Sequence, residues 1–299
     1  MRLLLSLFIT TILFLNSSNS LKASELGEAI INKTSEKVSE YVLGWIPGEG
    51  HTEFSFDLRE ESKPQFHILA VRELSKTETG NIFNQFSAKL TEGVNSNTHG
   101  NDNDRLMLNY GIGKRFLLDD SNLIIGINNF YDYDFWTTNA RTSFGFEAKG
   151  PVTDVSINRY IPLSQSGSKE LVMSGWDYKI ASQVPYAHWA KIFINGYIWE
   201  GIDRNNVEGQ KWGTEALLNS NLNLEIAYDN KHNSGLEDAW YAHLEYVYPP
   251  KKGPTALDGF SAEMWNTKKN MSDELLSKVE RSNVIMIEFK GSSKITRTD

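Results

Sequence analysis

The sequence predicts an all-β fold, a single 12-stranded antiparallel β-barrel. Three observations predict it: period-two alternation of apolar and polar residues, about twelve short segments bounded by turn residues, and connections that alternate between short and long. Leu106, Leu108, Tyr110 and Ile112 alternate with Met107, Asn109, Gly111 and Gly113, and Phe144, Phe146 and Ala148 alternate with Ser143, Gly145 and Glu147. Successive strand side chains point to opposite faces, so such a sheet has one apolar and one polar face. Either a soluble sandwich with an oily inside or a membrane barrel with an oily outside meets that pattern.

The N-terminus favours the membrane. Arg2 precedes the mostly apolar run Leu3 to Leu15, and the small or polar residues Asn16 to Ala23 follow it. That run is too short for a membrane helix and reads as the core of a secretory signal peptide, so residues 1–22 are expected to be removed. Hydrophobic residues make up 40% of the chain and no later stretch is long and apolar enough for a helical span, so any span is a strand. With no cysteine there are no disulfides, thiolate metal sites or lipid-modified Cys. A net charge of -8, with Lys and Arg scattered along the chain, argues against nucleic acid as a partner.

Taken in order, residues 23–47 carry apolar side chains at helical spacing from Glu25 to Trp45 and stop at Pro47-Gly48, which predicts a periplasmic amphipathic helix. The barrel is expected over residues 48–249. Its strands fall near 51–58, 64–73, 82–91, 104–115, 121–131, 139–149, 151–160, 174–183, 188–199, 211–219, 221–230 and 239–248. These segments match the roughly nine to eleven residues of a tilted membrane strand. Counted from a periplasmic N-terminus, even-to-odd joins are short and odd-to-even joins long, as in bacterial barrels. The join from Glu73 to Asn81 is the exception. A girdle at the headgroup level is expected from Phe130, Tyr131, Tyr133, Trp136, Trp176, Trp189, Tyr197, Trp199, Trp240, Tyr246 and Tyr248. Glu147, Asn223, Glu225, Asp229, His243 and Glu245 are expected in the lumen.

Residues 250–299 change texture. Pro249-Pro250-Lys251-Lys252-Gly253-Pro254 ends strand pairing, Met271 to Arg281 reads as a short helix started by Ser272-Asp273-Glu274, and Asn283 to Lys290 reads as extended. This segment is too short for an immunoglobulin-like domain of about 100 residues. It is long enough to thread a pore, since extended chain covers about 3.3 Å per residue against about 45 Å of membrane.

Several of these residues resemble the inverse autotransporters, typified by intimin and invasin. Asn109-Tyr110-Gly111-Ile112-Gly113-Lys114-Arg115-Phe116-Leu117 is similar to that family's glycine-alternating strand, and Ile125 to Asp134, with Phe130-Tyr131-Asp132-Tyr133-Asp134, resembles the strand after it. Asn139-Ala140-Arg141 through Glu147, Asn158 to Ser164, Ser174-Gly175-Trp176-Asp177 and Val184-Pro185-Tyr186 follow in the family's order, as does Lys278 to Lys290. The resemblance implies a bacterial outer-membrane anchor and translocator of the type V secretion kind. Outer-membrane lipid, the outer-membrane assembly machinery and periplasmic chaperones would be its partners, and a C-terminal linker would cross the lumen. On this reading the helix from Met271 plugs the pore, and the chain lacks both an adhesive passenger after Lys290 and a peptidoglycan-binding module before the barrel. The alternative is a stand-alone porin-like or surface-binding barrel.

No enzyme is predicted, and no catalytic, cofactor-binding or metal-ligating residue is proposed. His99 or His232 with Ser96 or Ser234 would be the candidates for lipid hydrolysis. Both histidines fall in expected loops, without the positioned serine that a general base requires. Asn101-Asp102-Asn103-Asp104 lacks the spacing and closing Glu of a helix-loop-helix calcium site. Gly111-Ile112-Gly113 is no nucleotide signature, and those glycines are expected to make room for the luminal linker or to sharpen barrel curvature.

Overall fold

The computed structural model describes residues 48–60, 64–91, 105–118, 122–164, 170–232, 237–289 and 295–296. The signal peptide expected over 1–22 and the helix expected over 23–47 lie outside them, as do His99, Ser96, Ser234 and Asn101 to Asp104.

Twelve strands form the barrel wall: β1 (Gly50–Arg59), β2 (Gln65–Thr77), β3 (Gly80–Thr91), β4 (Arg105–Leu118), β5 (Leu123–Asp134), β6 (Ala140–Lys149), β7 (Thr153–Ser164), β9 (Ser174–Val184), β10 (Ala187–Glu200), β11 (Val207–Asn219), β12 (Leu222–His232) and β13 (Ala239–Tyr248). Three short strands stand apart from the wall: β8 (Glu170–Val172), β14 (Ile287–Phe289) and β15 (Ile295–Thr296). Each wall strand pairs antiparallel with its neighbours, and β1 closes the ring against β13 from Thr52 opposite Tyr248 to Arg59 opposite Tyr241. Closure matters in lipid, where an unpaired sheet edge would leave backbone groups with no partner.

The alternation sorts the side chains as expected. Ile112, Ile127, Phe144, Ile157, Ile180, Ile192, Trp212 and Ile226 lie exposed on the outer face. Glu147, Asp229 and Glu245 are buried, and Asn223, Glu225 and His243 line luminal cavities. The girdle is corrected by the same alternation. Tyr131, Trp136, Trp176 and Trp240 are exposed, whereas Phe130, Tyr197 and Trp199 are buried in the interior. Phe130 lies two residues from both Asn128 and Asp132, so it shares their inward face. Trp189 lies at a cavity mouth, where its indole nitrogen donates to Gly259 O at 2.8 Å.

The anomalous Glu73 to Asn81 join disappears. A register shift between Glu73 and Ser75 lets β2 continue to Thr77, so only Glu78 and Thr79 separate it from β3. Gly80 sits at φ 151°, with Arg115 O 2.0 Å from where a Cβ would stand. Gly80→Ala is therefore expected to cost about 1–3 kcal/mol, read as a lower temperature of conversion from folded to unfolded band in semi-native electrophoresis.

The helix expected from Met271 to Arg281 is a single 3-10 turn, Met271–Glu274, capped by the Asn270 side chain accepting from Ser272 N. Leu275 and Leu276 still turn, with Leu275 N bonded to Ser272 O and Ser277 N to Glu274 O, and only beyond Ser277 is the chain irregular, because barrel side chains take the backbone groups that a helix would pair internally. β8, in the join after β7, was not foreseen in the sequence. It pairs with β14, Ile287 opposite Val172, and β15 adds the third strand.

Candidate functional site

The luminal segment 275–289 and the side chains that grip it form the site. Residues 271 to 275 enter at the end of the barrel that carries the short turns, where Met271 and Leu275 pack on Ile124 and Leu117. Arg115 meets them there. Its guanidinium donates through Nη1 to Leu275 O at 2.8 Å and Ser277 O at 2.7 Å, and through Nε to Glu147 Oε1 at 2.5 Å. Asn81 also donates to Leu275 O, at 3.1 Å, and Lys149 reaches Ser277 Oγ at 2.6 Å and Lys278 O at 3.1 Å. Lys278 in turn reaches across to Glu245 and lies 3.5 Å from Glu53.

One level further in, Val279 N donates to Gln85 Oε1 at 2.8 Å, and its side chain packs among Leu69, Val71, Phe83 and Phe130. The glycines of β4 make room for two of those rings. A Cβ at Gly111 would fall 2.3 Å from Phe130, and one at Gly113 would fall 2.4 Å from Phe83. The space these glycines leave is thus taken by rings, and the rings press on the linker.

Arg281 lies at the centre. Its guanidinium donates to Asp132 through Nη2 at 2.6 Å and Nη1 at 3.0 Å, and it stacks over the Phe130 ring at 4.2 Å. Arg141 donates to the same carboxylate at 2.7 Å and to Ser282 O at 2.7 Å, so Asp132 lies between two guanidinia with all three side chains fully buried. Ser282 N donates to the Tyr160 hydroxyl at 2.7 Å, which donates to Asp177 at 2.6 Å. Asn158 takes Glu280 O at 2.9 Å and Asn109 takes Asn283 O at 3.1 Å. Charge-assisted bonds of this kind are the stronger ones, and here they replace a helix's own ladder.

At the opposite end, where the longer joins lie, the linker meets the loops. Met173 N donates to Met286 O at 3.0 Å, and Met286 packs with Tyr160, Tyr197, Trp199 and Val207. The buried Glu288 carboxylate accepts from Ile202 N at 2.8 Å and Asp203 N at 3.1 Å, in the join between β10 and β11. Asp132 therefore stands at the heart of the clasp, while its neighbour Asp134 binds Arg105 at 2.6 Å and accepts from Trp136 N at 3.0 Å. His232, at the end of β12, is exposed and is no part of the site. The motif around Asn109 to Leu117 contains Arg115 but gives it no task, and Gln85, Asn81 and Lys149 stand in no motif, although the inward phase of their strands marks each as luminal.

A closed 12-stranded antiparallel barrel with an apolar outer face and a charged, occupied interior is a transmembrane β-barrel of the outer-membrane type. A family model described as inverse autotransporter, beta-domain, matches residues 11–283. The chain belongs to the inverse autotransporter β-domain family, a non-enzymatic kind of barrel, and is a protein of the bacterial outer membrane. A solved chain described under "Unveiling the Mechanism Behind the in-meso Crystallization of Membrane Proteins" is similar at 18% identity and TM-score 0.62, over 80% of this chain and 100% of that one. A KdgM porin is similar at 8% identity and TM-score 0.44, covering 66% and 98% of the two chains. Outer membrane phospholipase A from Escherichia coli is similar at 8% identity and TM-score 0.42, covering 67% and 96%. These likenesses concern the fold alone. No curated protein matches the sequence.

Proposed function

We propose that this barrel is a membrane anchor and translocator that holds its C-terminal segment through its own pore, with the short-turn end in the periplasm and the long-loop end at the cell surface. The observation that carries this reading is the path of residues 275 to 289. The segment enters beside Asn81 and Arg115 and leaves beside Met173 and Ile202, held on carbonyls and on the amides of Val279 and Ser282 along the way and by the Glu288 carboxylate at the exit. Grip on carbonyls and amides holds a backbone largely irrespective of its side chains, which suits a conduit through which different segments slide before one of them locks. Arg281 and Val279 supply the lock, since each fits one partner set.

A free-standing open porin is disfavoured, because the segment lies along the lumen and its ion pairs to the wall divide the remaining space into two cavities. Type V secretion of a passenger is the family's implication for chain leaving the loop end. Insertion by the outer-membrane assembly machinery, with periplasmic chaperones, would act on the last wall strand, where Leu244-Glu245-Tyr246-Val247-Tyr248 ends on an aromatic.

An epitope fused after Asp299 tests the path. Antibody labelling of intact cells is expected, at the level seen in permeabilised cells. Labelling only after permeabilisation would place the tail in the periplasm and end the threading reading.

A further inference from the structure

The grip on the linker backbone falls on one side of the lumen, from β3 round to β7. Asn81 and Gln85 of β3, Asn109 and Arg115 of β4, Asp132 of β5, Arg141 and Lys149 of β6, and Asn158 and Tyr160 of β7 draw it to one wall. Two cavities remain along the other. One, of about 590 Å³, opens at the short-turn end among Glu73, Lys191, Glu215 and Lys251. The other, of about 200 Å³, lies towards the long-loop end among Asp57, Lys89, Glu225 and His243. Both exceed the roughly 30 Å³ share of one water many times over, and charged walls keep such space wet.

Four residues line both cavities, Glu53, Lys179, Lys278 and Glu280, and they separate one from the other. They are joined in pairs of opposite charge across the lumen. Lys278 of the linker reaches Glu245 and Glu53, while Glu280 of the linker lies 3.0 Å from Lys179, which also binds Glu215. The linker thus contributes one cation and one anion to the bar, and the barrel wall contributes their partners.

We propose that a second, aqueous path for small inorganic ions runs beside the linker through this barrel, and that the Lys278 and Glu280 ion pairs are its gate. Ion pairs suit the task, since charged rings and constrictions control small-ion passage in pores and the pairs can open without unfolding the wall. The linker backbone stays clasped by the far wall while these two side chains swing. The path therefore goes beyond the anchoring role and does not depend on which end faces the cell surface.

The test is conductance of the full-length chain in a planar bilayer bathed in potassium chloride. The unaltered protein is expected to conduct weakly with brief openings. The paired variant Lys278→Ser with Glu280→Ser removes one charge of each sign, and it is expected to raise steady conductance several-fold. Adding Ser55→Trp, which places a bulky ring in the cavity towards the long-loop end, is expected to bring it back down. Protease resistance of residues 275–289 is followed in each variant. Conductance that does not rise in a protein still folded by electrophoresis would overturn the proposal. So would a rise accompanied by cleavage of the linker, since current would then flow through a vacated pore.

Discussion

Asp132→Ala is expected to weaken the barrel more than any other single luminal change, lowering the folded-to-unfolded transition in semi-native electrophoresis by about 10 °C or more. The carboxylate is the one anion between Arg141 and Arg281, and all three groups are fully buried. Its loss leaves two like charges facing each other with their donors unmet, and stripping one partner from a buried pair costs about 3–5 kcal/mol. Arg141 retains Ser282 O and the Tyr160 ring 4.2 Å away, and Arg281 retains the Phe130 ring and Asn283, which is why the barrel still closes. Arg281→Met should cost much less, since it leaves a balanced pair of Arg141 and Asp132 and fills the space with an apolar chain. The double variant, Asp132→Ala with Arg281→Met, should recover part of the loss, because it leaves one buried cation where the single variant leaves two. Equal effects of the two single changes would mean that water reaches the cluster and screens it as at a surface.

The wall of the barrel was legible because its cause is local. Alternation in β4 and β6 reports which face meets lipid, and all twelve predicted segments lie within or overlap a wall strand. What failed was decided at a distance. Met271 to Arg281 carries the local marks of a helix, an acidic first turn and apolar residues at Leu275, Leu276 and Val279. Its carbonyls nevertheless go to Arg115, Lys149 and Asn158, residues more than a hundred positions away. Tertiary partners override propensity whenever they satisfy the backbone better than the segment can itself. β8 is three residues long and exists only because β14 emerges beside it, so no periodicity could have revealed it. The long β2 was hidden by its register shift, which breaks the alternation at Leu74. The clasp itself was half legible: Asp132 stood in a motif that matched the family, whereas Arg115 sat in the neighbouring motif without a named task. Inward phase tells which side chains reach the lumen, but not what they hold there.

Arg115 shows what that missing knowledge amounts to. Arg115→Ala is expected to free the entry of the linker, so that a periplasmic protease cuts between about residues 270 and 278 while the barrel wall stays intact. The guanidinium joins three acceptors, Leu275 O, Ser277 O and Glu147, and lies 4.3 Å over the Phe83 ring. Removing it takes the donor from Ser277 O, leaves Leu275 O with Asn81 alone at 3.1 Å, and leaves Glu147 with Lys149 alone at 3.3 Å. Hydrogen bonds to charged groups contribute about 1.5–3 kcal/mol each, so a loss of about 3 kcal/mol is expected after Lys149 compensates in part. Arg115→Lys separates charge from shape. An ammonium on a single stem can keep Glu147 paired, but it cannot fork to the carboxylate and to two linker carbonyls together. Its linker should be cut at a rate between those of the unaltered chain and the alanine variant. Protection by lysine equal to that by arginine would show that only the charge of residue 115 matters, and the entry clasp would then be an electrostatic contact instead of a fork fitted to the turn at Leu275 to Ser277.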